Sequence, residues 1–422
     1  MQIYKGNFLF TPHRESFRVI EQGYVCVQNG VIVHVGTNLP RPLPPEAEVI
    51  DFGDCLVIPA MNDMHVHASQ YRNQGISMDL ELLTWLNTYT FPEEAKFADT
   101  NYARRIYRRF IHDLWRMGTM RAAVFATIHH ESTRLLMKLF QEAGMGAMVG
   151  KVCMDRNSPE ELCETVREAI RANEALIAEF NDPQGLVRPI ITPRFIPSCS
   201  PEMLKACGQL ASKHGIAVQS HLSENRKEIE TVKSLEPSST CYGDAYLRYN
   251  LFGQTPTLMA HCVYSSDEEI ELMRRQGVMA VHCPTSNLNL SSGMAAMRTL
   301  IERGVRVALG SDISGGHDLN MFRVIVYAIQ VSKAIKAVQG IEPQLSLPEA
   351  FWCATKSAGS FFGQVGSFEP GYEFDALVID DHELNFDHYT LEQRLERFIY
   401  LGDDRNIIHR FCRGKEISEP QV

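Results

Sequence analysis

The chain has 422 residues, of which 45% are hydrophobic and 22% are charged, a composition typical of a folded protein with a sizeable core. Its formal net charge of −10 argues against a partner that is nucleic acid or an anionic membrane, because binding to either needs clustered Lys and Arg. The 11 cysteines are scattered without a C-x-x-C pair, which favours reduced thiols, so we expect a cytoplasmic protein. Neither a signal peptide nor a membrane-spanning run of 18 apolar residues is found.

Both ends of the chain are predicted to form short β-strands. The N-terminal stretches are QIYKGNFLFT, YVCVQNGVIVHVG and EVIDFGDCLVIPA, and the second of them has a hairpin turn at Asn29-Gly30. The C-terminal stretches GYEFDALVID, RFIYLG and IIHRFCRGKEI have the same character. Since neither end has another partner, we expect residues 1–59 and 365–422 to form one small β-sandwich domain.

Between these ends, over residues 60–364, short apolar runs alternate with longer segments of helical period. The eight runs lie near Leu56–His67, Thr119–Ile128, Gly146–Met154, Val187–Phe195, Ile216–His221, Pro256–Cys262, Gly277–Pro284 and Arg306–Asp312. Such runs are typical of parallel strands, which are buried on both faces. We therefore predict an α/β fold with a (β/α)8 TIM-like barrel, whose chemistry belongs at the C-terminal ends of its strands.

Four residues at predicted strand ends suit a metal ion. His65 and His67 end the first strand in HVH, so both side chains point to the same side. His221 ends strand five in QSHLSEN, and Asp312 ends strand eight in ALGSD. Taken alone, His221 is more often a hydrogen-bonded histidine, and Asp312 is more often a helix-capping aspartate. Together, the four predict a site for zinc or ferrous iron that leaves one position for water.

Further polar residues lie on the same predicted rim. Glu224 follows His221 by three residues and suits proton transfer from a metal-activated water, although a glutamate at a helix N-terminus is the alternative. His261 ends strand six, where it can contact that water or belong to the core. For His129 and His282, also at strand ends, we favour structural or supporting roles.

Strand four ends in ITPRFIPSCS, where Arg194 has nothing acidic within four residues. A buried arginine is costly without a partner, and we expect that partner to be the substrate. A guanidinium cannot bind metal, so strand four offers no bridging ligand for a second ion. The sequence therefore predicts a mononuclear site.

The stretches HVH, SHLSEN, MAHC, HCPTSN and LGSD together resemble the amidohydrolase superfamily in its mononuclear deaminase branch. The resemblance covers nearly the whole chain, and HVHASQY, LLTWLNTYTFPEE, GKVCMDRN, TPRFIPSCS and HCPTSNLNLSSG are similar to members that deaminate guanine. It implies one zinc ion per chain, a homodimer and a role in purine catabolism. Two departures, MNDMHVHASQ in place of VDTHIHAPQ and Ser311 in place of Thr, alter no metal-ligand or acid–base position.

The resemblance also implies a role for each site residue. The metal ligands are His65, His67, His221 and Asp312; the catalytic residues are Glu224, His261 and Asp312; the substrate contacts are Gln70, Arg194 and Phe195, with His67 and His221 beside them. For Phe195, a place in the barrel core is the alternative.

The expected reaction is hydrolysis of guanine to xanthine and ammonia, in which Glu224 carries a water proton to ring N3 while Asp312 and His261 stabilise the oxyanion. Arg194 would pair with O6 and N7 of guanine, as arginine does in the DNA major groove. Adenine, which carries an amino donor in place of O6, is then disfavoured. The alternative substrate is a pterin or another 2-amino-4-oxo heterocycle, because its acceptor pair is similar.

Two other classes of protein stay open. A scaffold protein that has lost its activity is disfavoured, because every expected ligand position is filled. A hydrolase of cyclic amides on the same fold often uses two metal ions, so about two zinc ions per chain would favour that class.

Overall fold

The structure is a computed structural model that describes residues 1–40, 47–340, 344–386 and 388–422. The strands of this part of the chain are β1 Gln2–His13, β2 Ser16–Gln28, β3 Val31–Gly36, β4 Glu48–Pro59, β5 Met61–His67, β6 Thr119–Phe125, β7 Gly146–Gly150, β8 Val152–Cys153, β9 Val187–Pro189, β10 Thr192–Pro193, β11 Val218–Leu222, β12 Thr257–His261, β13 Met279–His282, β14 Arg306–Leu309, β15 Ala376–Ile379, β16 Ile407–Cys412 and β17 Lys415–Glu416.

The α-helices of the same residues are α1 Leu82–Trp85, α2 Phe91–Ala95, α3 Thr100–Arg116, α4 His130–Ala143, α5 Val166–Phe180, α6 Pro201–His214, α7 Arg226–Leu235, α8 Tyr242–Leu247, α9 Asp267–Gln276, α10 Pro284–Asn289, α11 Met297–Glu302, α12 Met321–Gln339, α13 Leu347–Trp352 and α14 Leu391–Leu401. Short π-helices span Leu86–Thr90 and Cys353–Ser357. Short 3-10 helices span Ala68–Asn73, Lys96–Ala98, Glu160–Leu162, Ile196–Ser198, His382–Leu384 and Asp404–Asn406.

The two ends of the chain share one sheet, as predicted. Its seven strands run in the order β17-β16-β15-β4-β1-β2-β3, so β15 from the C-terminal part pairs with β4 from the N-terminal part. The predicted turn between β2 and β3 is present, with φ of 52° at Asn29 and 80° at Gly30. An aromatic cluster around Tyr4, Phe374 and Phe411 gives this sheet an apolar core of its own.

One of the predicted strands is wrong. The stretch RFIYLG lies almost entirely within helix α14. Thr390 and Gln393 form a capping box at its start, and the buried residues Leu395, Phe398 and Ile399 recur at helical spacing. The six residues of RFIYLG alone resemble a strand. The capping box before them and the helical spacing of the buried residues over the longer segment specify a helix.

The predicted barrel is confirmed. Parallel strands β5-β6-β7-β9 form one half and β11-β12-β13-β14 the other. The halves join where Ile191 N donates to Ala217 O at 2.9 Å. The barrel closes where Asp312 N donates to His65 O at 2.8 Å and His67 N to Ile313 O at 3.0 Å.

Each of the eight predicted runs contains a barrel strand. The run Leu56–His67 covers two elements, because its first residues end β4 in the terminal sheet and the rest form β5. The runs Gly146–Met154 and Val187–Phe195 each divide into two short strands, β7 with β8 and β9 with β10. Because β5 directly follows β4, the sheet of the chain ends leads straight into the barrel.

The helices around the barrel follow from sequence in the same way. Helix α3 begins after Asp99, which accepts a hydrogen bond from Asn101 N, and buries a stripe that includes Ile106 and Phe110. Arg104 and Arg105 stay exposed on the opposite face, so the basic run there is a solvated helix surface. Among the described residues, no helix combines the length and apolar character needed to cross a membrane.

Candidate active site

The C-terminal ends of the barrel strands surround a cavity of about 470 Å³ that is open to solvent. Of the nine site residues predicted from the sequence, eight line this cavity: His67, Gln70, Arg194, Phe195, His221, Glu224, His261 and Asp312. The ninth, His65, lies beside them, with its Nε2 3.2 Å from Asp312 Oδ1. The structure therefore brings all nine residues together, although they span almost 250 positions of the chain.

Five side chains converge as potential metal ligands. One ligand atom from each of His65, His67 and Asp312 lies within 4.8 Å of the others, and so do those of His65, His221 and His261. His67 Nε2 is 3.4 Å from Asp312 Oδ1 and 3.3 Å from His221 Nε2. So many nitrogen and oxygen donors at such short range are typical of a site for one divalent cation.

Protonation of the histidines agrees with metal binding. The carbonyl of Arg194 can only accept, so the 2.7 Å contact places the proton of His221 on Nδ1 and leaves the Nε2 lone pair facing the cavity. Among the described residues, the buried His65 Nε2 makes no well-directed hydrogen bond, although it lies 3.2 Å from Asp312 Oδ1. Burial lowers the pKa of His65, His67 and His221, which keeps their imidazoles neutral. The residues present therefore fit a divalent metal ion.

Beside the potential metal ligands, Glu224 and His261 form a polar pair at the wall of the cavity. Glu224 Oε2 lies 3.5 Å from His261 Nε2, and Ser292 Oγ donates to the other carboxylate oxygen at 2.7 Å. Burial raises the pKa of Glu224. Burial opposes a charged His261, yet the nearby Glu224 and Asp312 raise its pKa. A carboxyl group and an imidazole with raised pKa values are suited to exchanging protons with a bound molecule.

Backbone strain coincides with the site. His261 and Asp312 have φ of 76° and 50°, in the left-handed region that bulky residues rarely adopt. His261 is the last residue of β12, and Asp312, three residues after β14, is held by the bond from its N to His65 O. Such strain is maintained by the surrounding structure and is frequent where side chains have to be aimed at a ligand.

Arg194 has a protein partner that its own sequence neighbourhood does not contain. Its Nη1 lies 2.6 Å from Glu94 Oε2, and its guanidinium lies over the ring of Phe91 at 5.3 Å. Gln70 Nε2 donates to the other oxygen of Glu94 at 2.9 Å. Arg194 therefore has a charged partner within the protein, and the substrate need not be its sole partner. Phe195 is half-buried and faces the cavity, with its ring 6.4 Å from that of His221.

The sequence reading missed several residues of this site. Glu228 lines the cavity and accepts hydrogen bonds from Glu224 N, Asn225 N and the Tyr242 hydroxyl. Leu82, Trp85, Leu86 and Leu290 supply apolar lining. Two family-like stretches were signals: LLTWLNTYTFPEE, which contains Leu82, Trp85 and Leu86, and HCPTSNLNLSSG, which contains Leu290. His129 and His282 do not line the cavity, and no hydrogen-bond partner of either His282 nitrogen is found among the described residues.

Comparison with known proteins agrees with this geometry. Residues 56–417 match the amidohydrolase family. The chain is 37% identical to guanine deaminase of Dictyostelium discoideum over 99% of this chain and 98% of that protein. It is 39% identical to guanine deaminase of Mus musculus over 85% of this chain and 82% of that protein.

Solved structures give the same result. A crystal structure of guanine deaminase from C. acetobutylicum with bound guanine in the active site has a TM-score of 0.97 and 52% identity, covering 99% of this chain and 100% of that one. E. coli guanine deaminase has a TM-score of 0.91 and 32% identity, with both chains fully covered. The chain therefore belongs to the amidohydrolase family and, within it, groups with the guanine deaminases.

Proposed function

We propose that this protein hydrolyses guanine to xanthine and ammonia with one zinc ion per chain. The observation that carries the proposal is the convergence, on one cavity, of four metal-binding side chains, a buried glutamate and a buried arginine. The relatives that share most of the chain are named guanine deaminases, and one of them holds guanine in its active site.

The metal ligands in this proposal are His65, His67, His221 and Asp312. Three imidazoles and one carboxylate suit zinc, and ferrous iron accepts the same set. A metal ion held there supplies the Lewis acidity that makes water nucleophilic near neutral pH. The hydrogen bond from His221 Nδ1 to Arg194 O keeps the ligating Nε2 aimed into the cavity.

Glu224 is the proposed proton carrier. Its raised pKa favours reversible proton uptake, and Ser292 leaves one carboxylate oxygen free to face the cavity. Glu224 takes a proton from the attacking water and gives it to N3 of the guanine ring. His261 Nε2, 3.8 Å from Asp312 Oδ2, would donate to the oxygen on which negative charge develops, and the Asp312 carboxylate would accept a hydrogen bond from the attacking water. A further proton transfer lets the amino group leave as ammonia.

Arg194, Gln70 and Phe195 are the proposed contacts to the base. The guanidinium has donors left for the O6 and N7 acceptors of guanine after its contact with Glu94. Phe195 lies against the plane of the ring. Adenine presents an amino group where these donors lie, so it should be a poor substrate.

The test is release of ammonia from guanine, 8-oxoguanine, adenine, cytosine and pterin by metal-loaded protein of measured metal content. We expect guanine to give the highest kcat/KM, with about one zinc ion per chain. Glu224→Gln should lose turnover by a factor of about 10² or more while its metal content stays at the wild-type value. Absence of ammonia from guanine would contradict the proposal, and faster turnover of pterin would establish the alternative substrate.

Three further predictions about the whole protein belong to the same proposal. We propose a homodimer, a cytoplasmic location and a division into a terminal β domain of residues 1–59 plus 365–422 and a barrel of residues 60–364. The free state of all 11 cysteines supports a reducing compartment. Light scattering of the purified protein tests the dimer, and limited proteolysis tests the domain bounds.

A further inference from the structure

Glu94 stands behind the base-recognition residues and does not line the cavity. Its carboxylate bridges two side chains that do: Oε1 accepts from Gln70 Nε2 at 2.9 Å, and Oε2 lies 2.6 Å from Arg194 Nη1. All three residues are at least 95% buried. A carboxylate in that position balances the charge of the buried guanidinium and accepts from two donors at once.

Glu94 also fixes which way the Gln70 amide points. A carboxylate can only accept here, so the Gln70 atom facing Glu94 is its nitrogen. The opposite atom, Gln70 Oε1, accepts from the backbone N of Ser314 at 3.3 Å. These two partners fix the orientation of the amide: one hydrogen of Nε2 is left for a ligand, while Oε1 is engaged by the Ser314 N–H.

Arg194 is constrained in the same way. Among the described residues, its guanidinium makes one hydrogen bond, the contact of Nη1 with Glu94. Phe91, three residues before Glu94, lies under the same guanidinium at 5.3 Å. Nε and Nη2 thus keep their hydrogens for a ligand, and together with Gln70 Nε2 they form a wall of N–H donors.

We propose that Glu94 is a positioning residue for base recognition, whose carboxylate holds Gln70 and Arg194 so that they present a wall of N–H donors. The base edge bound against this wall must carry acceptors, as the O6/N7 edge of a 6-oxopurine does. This inference rests on the proposed function, because it assigns the acceptor edge of guanine to that wall. It adds a residue that touches neither the base nor the metal ligands.

The test compares Glu94→Gln with Glu93→Gln in metal-loaded protein. A glutamine at position 94 replaces one carboxylate oxygen by an NH2 group, so either Gln70 or Arg194 then faces a donor where it had an acceptor. Glu93 is the matched control, because it is equally buried on the same helix but accepts from Lys96 Nζ at 2.7 Å. For Glu94→Gln we expect KM for guanine to rise about 10- to 100-fold and kcat to change less than about fivefold. Glu93→Gln should stay within about twofold of wild type for both.

Binding of two inert bases separates positioning from general damage. Hypoxanthine carries the O6/N7 acceptor edge, whereas purine lacks O6, and calorimetry gives the Kd of each without turnover. In Glu94→Gln, Kd for hypoxanthine should rise about 10-fold or more and approach that of purine, with unchanged metal content. Where purine binding is too weak to measure, the test compares the Kd for hypoxanthine in Glu94→Gln with the Kd for hypoxanthine in Glu93→Gln.

Three outcomes would overturn the inference: an unchanged Kd for hypoxanthine in Glu94→Gln, an equal rise for both bases, or an equal effect of Glu93→Gln. The binding measurement does not depend on catalysis. If wild-type protein releases no ammonia from guanine but binds hypoxanthine in a Glu94-dependent way, the proposed function fails and the wall of N–H donors stands.

Discussion

At the scale of single residues, Arg194 serves two parts of the site through different groups. Its side chain faces the cavity as a donor, whereas its backbone carbonyl accepts from His221 Nδ1 at 2.7 Å and so fixes the tautomer of a proposed metal ligand. Side-chain substitution removes only the first of these functions, because the carbonyl is common to every residue. Base recognition and metal binding can therefore be separated at one position.

Arg194→Ala should weaken guanine turnover and leave the metal in place. Loss of a charged hydrogen bond costs about 1.5–3 kcal/mol, so kcat/KM for guanine should fall about 10- to 150-fold. Metal content by elemental analysis should equal that of wild type. Loss of metal from this variant would show that the arginine side chain supports the ligands directly, contrary to our reading.

Glu228 predicts a pH dependence of stability. Burial and then the neighbouring Glu224 raise the pKa of Glu228 to about 7 from 4.5. A carboxyl group with a raised pKa in the folded state stabilises the fold below pH 4.5, and this contribution is lost as pH rises through about 7. At about 1.4 kcal/mol per pH unit, the full loss is about 3 to 4 kcal/mol.

The measurement is urea unfolding of wild type and Glu228→Gln at pH 5 and pH 8, with metal content held equal. The variant cannot titrate at this position, so wild type should lose stability relative to it between the two pH values. Glu230→Gln, at an exposed position of the same helix, should follow wild type throughout. Parallel pH profiles of wild type and Glu228→Gln would refute the raised pKa.

The residues predictable from sequence were those that end strands. His65, His67, His221 and Asp312 each follow an apolar run, and the topology of a barrel brings such positions to one rim. Glu94 could not be found in this way. It lies 100 residues before Arg194, and a contact between a loop helix and a strand end leaves no periodic signal.

At the scale of elements, the site depends on a close approach between the last strand and the first. A Cβ on Gly310, directly after β14, would lie 2.8 Å from His65 Cβ and 3.0 Å from His65 N. Both His65 atoms belong to the strand that closes the barrel through the bond from Asp312 N to His65 O. Glycine at this position therefore allows two proposed metal ligands to come together.

Gly310→Ala should displace His65 and weaken metal binding. Overpacking against the backbone of β5 cannot be relieved by rotating a side chain, and disturbed support of a ligand typically costs 10- to 100-fold in metal affinity. We expect a loss of about that size in competition with a zinc chelator. Gly36→Ala is the control, because its nearest contact would be an ordinary 3.5 Å to the His34 ring in the terminal sheet.

Prediction of elements was most secure where the pattern extended over a whole element. Periodicity located all eight barrel strands, because parallel strands buried on both faces read as continuous apolar runs. It failed for RFIYLG, a short piece of α14 whose apolar residues are compatible with either structure. The apolar run Leu56–His67 by itself spans the end of β4 and all of β5, which the structure separates at Ala60.

At the scale of the whole molecule, a buried ion pair joins the barrel to the terminal sheet. Arg121 on barrel strand β6 is 2% exposed, and its Nε lies 2.5 Å from Asp375 Oδ2, just before β15 of the sheet. Its Nη2 also contacts Glu373. Both carboxylates belong to the C-terminal part of the chain, which is thereby held against the strand next to β5.

Arg121→Ala should therefore destabilise the entire fold. Removing Arg121 leaves the buried Asp375 carboxylate without its counter-charge, which typically costs about 3–5 kcal/mol of unfolding free energy. Urea unfolding measures this loss, and Arg274→Ala is the control because its pair with Glu271 is solvent-exposed and should contribute almost nothing. If the β domain were docked only by apolar contacts, Arg121→Ala would be as stable as Arg274→Ala. A large loss for Arg121 alone would instead establish that charge pairing fixes the terminal sheet on the barrel that carries the metal ligands.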